Sequence, residues 1–163
     1  MSVTTVEVRI ADLDDPRDAQ AVLEMTREYA MDPMARSCDL PEEVKERLVG
    51  EMRAHPALFC FVAWDGDSPV GIATCLLSFS TFRAQRLVNL HDICVAPRAR
   101  GTGVARALLQ VVESYAKSQG CGGITLEVYS RNHHARDVYE AMGFVGSRAE
   151  EGSTTYFCFK ELA

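Results

Sequence analysis

One stretch decides the fold of this 163-residue chain: Val95-Ala96-Pro97-Arg98-Ala99-Arg100-Gly101-Thr102-Gly103-Val104-Ala105. It follows the apolar run Leu87–Val95, which predicts a strand, and it leads into Val104–Gln119, whose apolar residues recur at helical spacing. Two glycines at the junction let a ligand approach the backbone closely, and the first turn of the helix carries unpaired N–H groups. The stretch therefore predicts a strand–loop–helix unit with an anion site, to which Arg98 and Arg100 add cationic donors.

Two common nucleotide-binding loops do not fit this stretch. A Walker A loop ends in Gly-Lys-Ser/Thr, and this ending is absent from the sequence of the loop. A dinucleotide fingerprint needs a third glycine where this chain has Arg106, and no standard βαβ half surrounds it at the chain start. Taken alone, the two glycines are also compatible with an ordinary turn flanked by solvated arginines.

Outward from the loop, the pattern predicts the order β-α-α-β-β-β-α-β-α-β-β. Alternating apolar residues and short buried runs bounded by turn residues predict the strands, and Asp or Pro at the start of an apolar periodicity predicts the helices. The predicted strands are Val6–Ile10, Leu58–Trp64, Val70–Phe79, Leu87–Val95, Ile124–Tyr129, Phe144–Ala149 and Thr155–Lys160, and the predicted helices begin at Asp14, Asp39, Val104 and His133. Asp39 and Glu42 have the spacing of a capping box. We expect one domain over residues 1–163, with a mixed sheet and helices on its faces.

Composition narrows the class of protein. The chain is 47% hydrophobic and 25% charged, with a net charge of −6, which is typical of a globular domain and lacks the basic stripe of a nucleic-acid binder. No apolar run reaches the length of a bilayer span, and the start of the chain has no basic or apolar leader segment. We therefore expect a cytoplasmic protein with neither a nucleic-acid nor a membrane partner.

The six cysteines and the His133-His134 pair indicate neither disulfides nor a metal. No C-x-x-C pair is present, and Cys60, Cys75 and Cys94 lie inside apolar runs, so we expect reduced, buried thiols. Adjacent histidines at a helix start point apart, and Cys121 nearby leaves a fourth ligand missing, so we expect no metal site.

Two motifs in the right order resemble those of one family. The pattern Arg98-x-x-Gly101-x-Gly103 matches the Gln/Arg-x-x-Gly-x-Gly/Ala motif of the GNAT superfamily, the Gcn5-related N-acetyltransferases. Downstream, Leu126-Glu127-Val128 is followed by Asn132, Ala135, Tyr139 and Gly143-Phe144, which is similar to the L-E-V…N-x-x-A…Y…G-F segment of that superfamily. The resemblance implies an α/β (α+β) fold with a mostly antiparallel sheet of six to seven strands, a splayed parallel central pair and helices on both faces. It also implies acetyl-CoA as cosubstrate, transfer to an amine and no metal.

The resemblance also implies where the cofactor binds. Pantetheine would lie in the gap beside the splayed strand and pair with the backbone of Ile93, Cys94 and Val95, where one N–H would hold the oxyanion. Asn132 would contact the pantetheine arm from the opposite strand end. The pyrophosphate would lie on the glycine loop, whose implied binding residues are Arg98, Arg100, Gly101, Thr102, Gly103, Val104 and Ala105.

Catalytic roles follow from the same resemblance. Tyr139 is the implied general acid, because the leaving thiolate needs a proton; its position on an apolar helical face is equally that of a core residue. For the base, Glu127 matches the glutamate of ribosomal-protein alanine N-acetyltransferase-like members, and Asp92 on the splayed strand is the other candidate. Ordered water or His91 are further alternatives. Strand alternation predicts that only one of His91 and Asp92 points toward the acetyl site.

Looser matches concern the acceptor. The segments His55–Ala63, Phe79–Phe82 and Leu90–Val95 are similar to those of spermidine/spermine N-acetyltransferases and their thialysine-acetylating relatives. Those relatives carry Glu-Asp where this chain has His91-Asp92, which weakens the case for a polyamine and leaves a small cationic amine as the expected acceptor. Two alternatives stay open, a protein N-terminal or lysine acetyltransferase and a non-catalytic acyl-CoA-binding module.

The segment Ser78–Arg86, between two predicted strands, is expected to border the acceptor site. Its apolar residues Phe79 and Phe82, with Leu87, are expected to be exposed near an edge hairpin. By analogy with the family, they favour a homodimer.

Overall fold

The computed structural model describes residues 5–146 and 155–163, and within them the elements occur in the predicted order. The strands are β1 Glu7–Ile10, β2 Leu58–Asp65, β3 Ser68–Ser80, β4 Gln85–Val95, β5 Gly123–Tyr129, β6 Val145–Gly146 and β7 Thr155–Glu161, and the helices are α1 Pro16–Met31, α2 Glu42–Ala54, α3 Val104–Ser118 and α4 His133–Ala141. A short 3₁₀ turn, Pro97–Ala99, precedes α3. The predicted strand Phe144–Ala149 is described only as β6, and its remainder lies outside the described residues.

The strands described form a single sheet in the order β1-β2-β3-β4-β5-β7-β6. Each neighbouring pair in it is antiparallel except β4 and β5, which are parallel and are joined by α3. A parallel pair needs such a crossover, whereas antiparallel neighbours can be joined by short turns. The predicted fold class, a mixed and mostly antiparallel sheet with one parallel central pair, is confirmed.

Helices cover both faces of the sheet, as predicted. On one face, the apolar side of α3, with Val104, Leu108 and Val112 at most 2% exposed, packs in a core that also contains Tyr139 of α4. On the other face, Val22 and Met25 of α1 and Met52 of α2 pack against β2 and β3 in a second core. The sheet is therefore anchored from both sides near the glycine loop.

The parallel strands pair only briefly. β4 pairs with β5 over Leu87–Leu90, opposite Gly123–Leu126, and no pairing between the two strands follows in the described residues. On its other edge, β4 keeps its antiparallel pairing with β3, interrupted by a bulge where Asp92 faces Thr74 while Leu90 faces Cys75. A bulge bends its strand, so β4 diverges from β5 and opens the expected gap.

Three helix ends show how local chemistry sets the element boundaries. Asp15 caps α1 by accepting a hydrogen bond from the backbone N–H of Arg17, as its sequence predicts. The capping box predicted at Asp39 is wrong, because the Asp39 carboxylate accepts from Arg27 of α1 at 2.7 Å and α2 begins without a side-chain cap. Gly143 ends α4 with a left-handed φ of 86°.

Candidate active site

A cavity of about 890 Å³ opens where β4 and β5 diverge. Most of the site residues predicted from the sequence line it. They are Ile93, Cys94, Val95, Arg100, Gly101, Gly103, Val104, Ala105, Glu127, Asn132 and Tyr139. Three other predicted site residues, Asp92, Arg98 and Thr102, lie beside the cavity lining in sequence but do not form part of it within the described residues.

The wall formed by β4 has one unpaired edge. Ile93, Cys94 and Val95 pair with β3 through Ala73, Ile72 and Gly71, but their edge toward β5 has no strand partner in the described residues. A free strand edge presents backbone N–H and C=O groups that can pair with the amides of an extended ligand. This edge therefore suits the two amides of a pantetheine arm.

The loop between β4 and α3 is shaped to accept an anion. Gly101 and Gly103 have left-handed φ angles of 77° and 92°, which residues with a Cβ rarely adopt. Gly103 is the N-cap of α3 and supplies no side-chain cap, so the first-turn N–H groups of the helix remain available to a ligand. The Thr102 hydroxyl donates to the carbonyl of Ala99 at 2.6 Å and so holds the loop rather than the ligand. These donors fit a pyrophosphate.

The two loop arginines differ in what they bind. The Arg98 guanidinium donates to the carbonyl of Pro69 at 2.6 Å and lies 3.8 Å from Glu28, so it ties the loop to β3 and α1. Arg100 lines the cavity and donates to the Asp32 carboxylate at 2.6 Å. Of the two, only Arg100 is therefore placed to reach a cofactor phosphate.

Tyr139 packs in the core and also lines the cavity. It is 7% exposed and packs edge-on against Phe144, with ring centroids 5.8 Å apart. Burial, with smaller contributions from Tyr29 and Cys158, raises the pKa of Tyr139 well above its usual value. Its hydroxyl therefore keeps its proton throughout the physiological pH range and can serve as a donor.

The candidate bases Glu127 and Asp92, and the neighbouring His91, differ in their position relative to the cavity. Glu127 of β5 is exposed and lines the cavity, as does His91. Burial raises the pKa of Asp92, whose side chain is 31% exposed, and the nearby His91 opposes this shift. At the bulge in β4, Nε2 of His91 and Oδ2 of Asp92 are 3.9 Å apart. Of the two residues, only His91 lines the cavity in the described part of the chain. That only one of them points toward the acetyl site stays a prediction.

Asn132 has a structural role that its motif does not predict. Its side-chain oxygen accepts a hydrogen bond from the N–H of Ala135 at 3.2 Å and caps α4, while the residue also lines the cavity. The cap fixes the start of the helix that carries Tyr139.

Sequence reasoning missed the contribution of α1 to the site. Tyr29 and, in the turn that follows the helix, Asp32 and Met34 line the cavity. Burial, assisted by the Asp92 carboxylate, raises the pKa of Tyr29 to about 12. In the sequence, Tyr29 has the helical spacing of a residue that packs against the core, so nothing near it in the chain marks it as a site residue. The segment Ser78–Arg86, expected to border the acceptor site, supplies no lining residue, although all of it is described.

In residues 5–146 and 155–163, no group of three or more His, Cys, Asp or Glu side chains could hold a metal ion. No helix of those ranges is long and apolar enough to cross a membrane.

Comparison with known proteins agrees with the geometry. A family model described as "Acetyltransferase (GNAT) family" matches residues 22–144. The thialysine N-epsilon-acetyltransferase of Bos taurus is 33% identical over 95 residues, which are 58% of this chain and 54% of that protein. The streptothricin acetyltransferase of Streptomyces lavendulae is 40% identical over 86 residues, 53% of this chain and 43% of that protein. The match thus spans about half the length of either relative.

Among solved structures, Arabidopsis thaliana NAA60 in complex with acetyl-CoA aligns with a TM-score of 0.72 over 97% of this chain and 99% of that one. Its 19% sequence identity means that the likeness concerns the fold. Because the family model covers well over half of the chain, the chain belongs to the GNAT acetyltransferase family.

Proposed function

We propose that this protein transfers the acetyl group of acetyl-CoA directly to the primary amine of a small cationic molecule. One observation carries the proposal: a single cavity joins the anion-binding loop, the free edge of β4, Tyr139 and Glu127. The donor's phosphates, its thioester and an incoming amine can therefore meet in one continuous space.

The environment of the cavity cysteine favours direct transfer. Burial raises the pKa of Cys94 to about 12, so its thiol is almost never ionised at neutral pH. The thiolate is the nucleophilic form of cysteine, and a covalent acyl-cysteine intermediate would need it. The amine itself is then the nucleophile that attacks the thioester carbonyl.

Backbone groups would hold the donor. The pyrophosphate would bind the first-turn N–H groups of α3 with Arg100, and the pantetheine amides would pair along the β4 edge from Ile93 to Val95. One N–H of that edge would stabilise the oxyanion of the tetrahedral intermediate. Arg98, Thr102 and Asn132 would support this site by fixing the loop and the start of α4.

Tyr139 would act as the general acid. Collapse of the tetrahedral intermediate expels the CoA thiolate, which must take up a proton. The raised pKa of Tyr139 keeps the phenol protonated, and its place in the cavity lining puts that proton beside the gap in which the thioester would lie.

A carboxylate would remove the proton from the acceptor. An alkyl ammonium with a pKa of about 10.4 must be deprotonated before it attacks. Glu127 reaches the cavity directly, whereas Asp92 is adjacent to His91, which does so. We retain Glu127 and Asp92 as the two candidate bases, and a water molecule between the carboxylate and the amine is compatible with either.

The charge of the cavity supports a cationic acceptor. Within the described residues, the lining has three carboxylates, those of Asp32, Glu127 and Asp137, and two guanidinium groups, those of Arg100 and Arg106. Because Asp32 is paired with Arg100, the carboxylates that support a cationic acceptor are those of Glu127 and Asp137, in a chain with a net charge of −6. The relatives named for thialysine and streptothricin are small-molecule acetyltransferases by name. We therefore place a small amine with more than one basic group ahead of a peptide.

The proposal also covers the oligomeric state and the cellular location of the protein. Phe79 is 60% exposed and Phe82 is fully exposed at the β3–β4 hairpin, which supports the proposed homodimer. The expectation that Leu87 is exposed near an edge hairpin is wrong, because Leu87 is buried and β3 and β4 lie inside the sheet. We also propose that residues 1–163 act as one domain in the cytoplasm.

An amine panel tests the proposal. Thialysine, lysine, polyamines, an aminoglycoside and short peptides with free N-termini would be incubated with acetyl-CoA, and the release of free CoA thiol would be measured. We expect turnover with a small diamine, and a loss of about 100-fold or more in kcat for Tyr139→Phe. Tyr115→Phe, which removes a hydroxyl from the aromatic cluster of Phe59 and Phe61, is the matched control.

Other outcomes would redirect the interpretation. Turnover with peptides alone would make the chain a protein acetyltransferase. CoA binding without turnover on any amine would favour an acyl-CoA-binding module. An unchanged rate for Tyr139→Phe at every pH would remove Tyr139 as the acid.

A further inference from the structure

The side chain of Arg100 joins the anion-binding loop to the turn after α1. Its Nη2 donates to the Asp32 carboxylate at 2.6 Å, and its Nε donates to the carbonyl of Val95 at 3.3 Å. Arg100, Asp32 and Val95 all line the cavity. The guanidinium is thus held at two points in the cavity wall.

The position of Asp32 does not depend on Arg100. Its second carboxylate oxygen accepts a hydrogen bond from the N–H of Met34 at 2.8 Å, and its backbone carbonyl accepts from Ala35 and Ser37. The Asp32 side chain is 18% exposed. Because hydrogen bonds within its own turn fix Asp32, its carboxylate can hold the Arg100 guanidinium in one orientation.

The hydrogen bond to Asp32 orients the Arg100 guanidinium before any ligand binds. A free arginine side chain has about 2 kcal/mol of rotamer entropy to lose when a ligand orders it. Here Nε and one N–H of Nη2 are occupied, whereas the Nη1 edge has no partner within the residues that the structure describes. The guanidinium can therefore donate to a phosphate from Nη1 without leaving Asp32.

We propose that Asp32 is a positioning residue for the acyl donor, which holds the Arg100 guanidinium so that its Nη1 edge binds the pyrophosphate of coenzyme A. The inference rests on the proposed position of the pyrophosphate at the loop of Arg100, Gly101 and Gly103. It assigns a donor-binding role to the turn after α1, outside the glycine motif.

The proposal makes a prediction opposite in sign to simple electrostatics. Asp32→Asn removes a negative charge beside an anion site, which by Coulomb's law alone would tighten the binding of CoA. If Asp32 positions Arg100, the same substitution weakens it. Asn keeps the oxygen that accepts from Met34, so the turn is preserved.

The test measures the affinity of the purified chain for CoA by calorimetry and for pantetheine, which lacks the pyrophosphate, by ligand-observed NMR. The variants are Asp32→Asn, Arg100→Ala and the double substitution. We expect each single variant to raise the Kd for CoA about tenfold and to leave pantetheine affinity unchanged. The double variant should bind CoA no more weakly than Arg100→Ala. Asp67→Asn, which removes a 98% exposed carboxylate, is the control for net charge.

Each other outcome would overturn the inference. Tighter CoA binding by Asp32→Asn would mean that Asp32 competes with the phosphates for Arg100. An equal loss of CoA and pantetheine affinity would mean that Asp32 acts only through the turn that carries Met34. Unchanged CoA affinity in Arg100→Ala would remove Arg100 from the donor site. Failure of the unmodified chain to bind CoA would instead refute the proposed donor site itself.

Discussion

Gly71 of β3 sets the distance between the sheet and the helix that carries the anion site. A Cβ built on Gly71 would lie 2.9 Å from Cγ1 of Val104, 3.0 Å from Cδ1 of Leu108 and 3.2 Å from the carbonyl oxygen of Cys94, whereas ordinary contacts begin at 3.4 Å. Val104 and Leu108 are at most 2% exposed, so neither side chain can turn away into solvent. The substitution Gly71→Ala must therefore push α3 outward by about 0.5 Å or force both side chains off their rotamers.

The expected change in the free energy of unfolding is the balance of two opposing effects. Overpacking a tight core costs about 1–3 kcal/mol, and replacing a glycine in a strand with alanine returns about 0.5–1 kcal/mol through the unfolded chain. We expect Gly71→Ala to lower the free energy of unfolding by about 1–2 kcal/mol. It should also weaken CoA binding, because Val104 begins the helix whose N–H groups face the pyrophosphate.

Urea unfolding and CoA titration measure both effects. The matched control is Gly50→Ala, since Gly50 lies inside α2 and an added Cβ there meets nothing within 4 Å. This control should stabilise the protein by about 0.5–1 kcal/mol and leave CoA affinity unchanged. If Gly71→Ala matched the control in both measurements, the close approach of β3 to α3 would not be what fixes the anion site.

Three further predictions concern buried titratable groups. Burial raises the pKa of Asp92, so ionisation of this carboxyl group costs folding free energy. Asp92→Asn should therefore melt no lower than the unmodified chain, and a clear drop in Tm would reveal an ion pair instead. The Asp18 side chain is 1% exposed, and its hydrogen bonds from Arg9 hold the pKa of its carboxyl group below the usual range. The Arg9–Asp18 ion pair therefore stabilises the fold above the unfolded pKa of about 3.9, and this stabilisation is lost as the pH falls through the folded pKa. Asp18→Ala should therefore cost about 3 kcal/mol at pH 7 and much less near pH 2, and an equal cost at both would contradict the ion pair. A thiol reagent at pH 8 should modify one cysteine per folded chain quickly, the exposed Cys38, and fast labelling of Cys94, whose pKa burial raises to about 12, would contradict the packing of β4.

The sequence predicted the order of elements and the glycine loop between β4 and α3, because both depend on local chemistry. The left-handed backbone angles of the loop favour glycine at positions 101 and 103. Asp15 caps α1 through a hydrogen bond from a residue two positions further along the chain. The alternating and helical periodicities likewise follow from which face of each element is buried. Several element boundaries differed by one or two residues; for example, β3 begins at Ser68 rather than Val70, and β4 begins at Gln85 rather than Leu87.

What could not be predicted depends on contacts between distant segments. Asp39 has the spacing of a helix cap, but Arg27 of the preceding helix offers its carboxylate a charged partner that a backbone N–H does not match. The bulge at His91 is not visible in the sequence pattern of β4, yet it interrupts the pairing with β3 close to the point where the pairing of β4 with β5 ends. Register irregularities of this kind are set by the whole sheet rather than by the strand that contains them.

The same distinction divides the site into two halves. The donor half consists mainly of backbone, the free edge of β4 and the start of α3, so glycine positions and strand ends encode it. The proposed acceptor half consists of side chains from α1, its following turn and β5, such as Tyr29, Met34 and Glu127, which only tertiary packing brings together. On this proposal, substitutions of these three residues should change which amine binds without altering how acetyl-CoA is held. Asp32 is the exception, because it pairs with Arg100 of the donor loop, so its substitution should also change the affinity for coenzyme A.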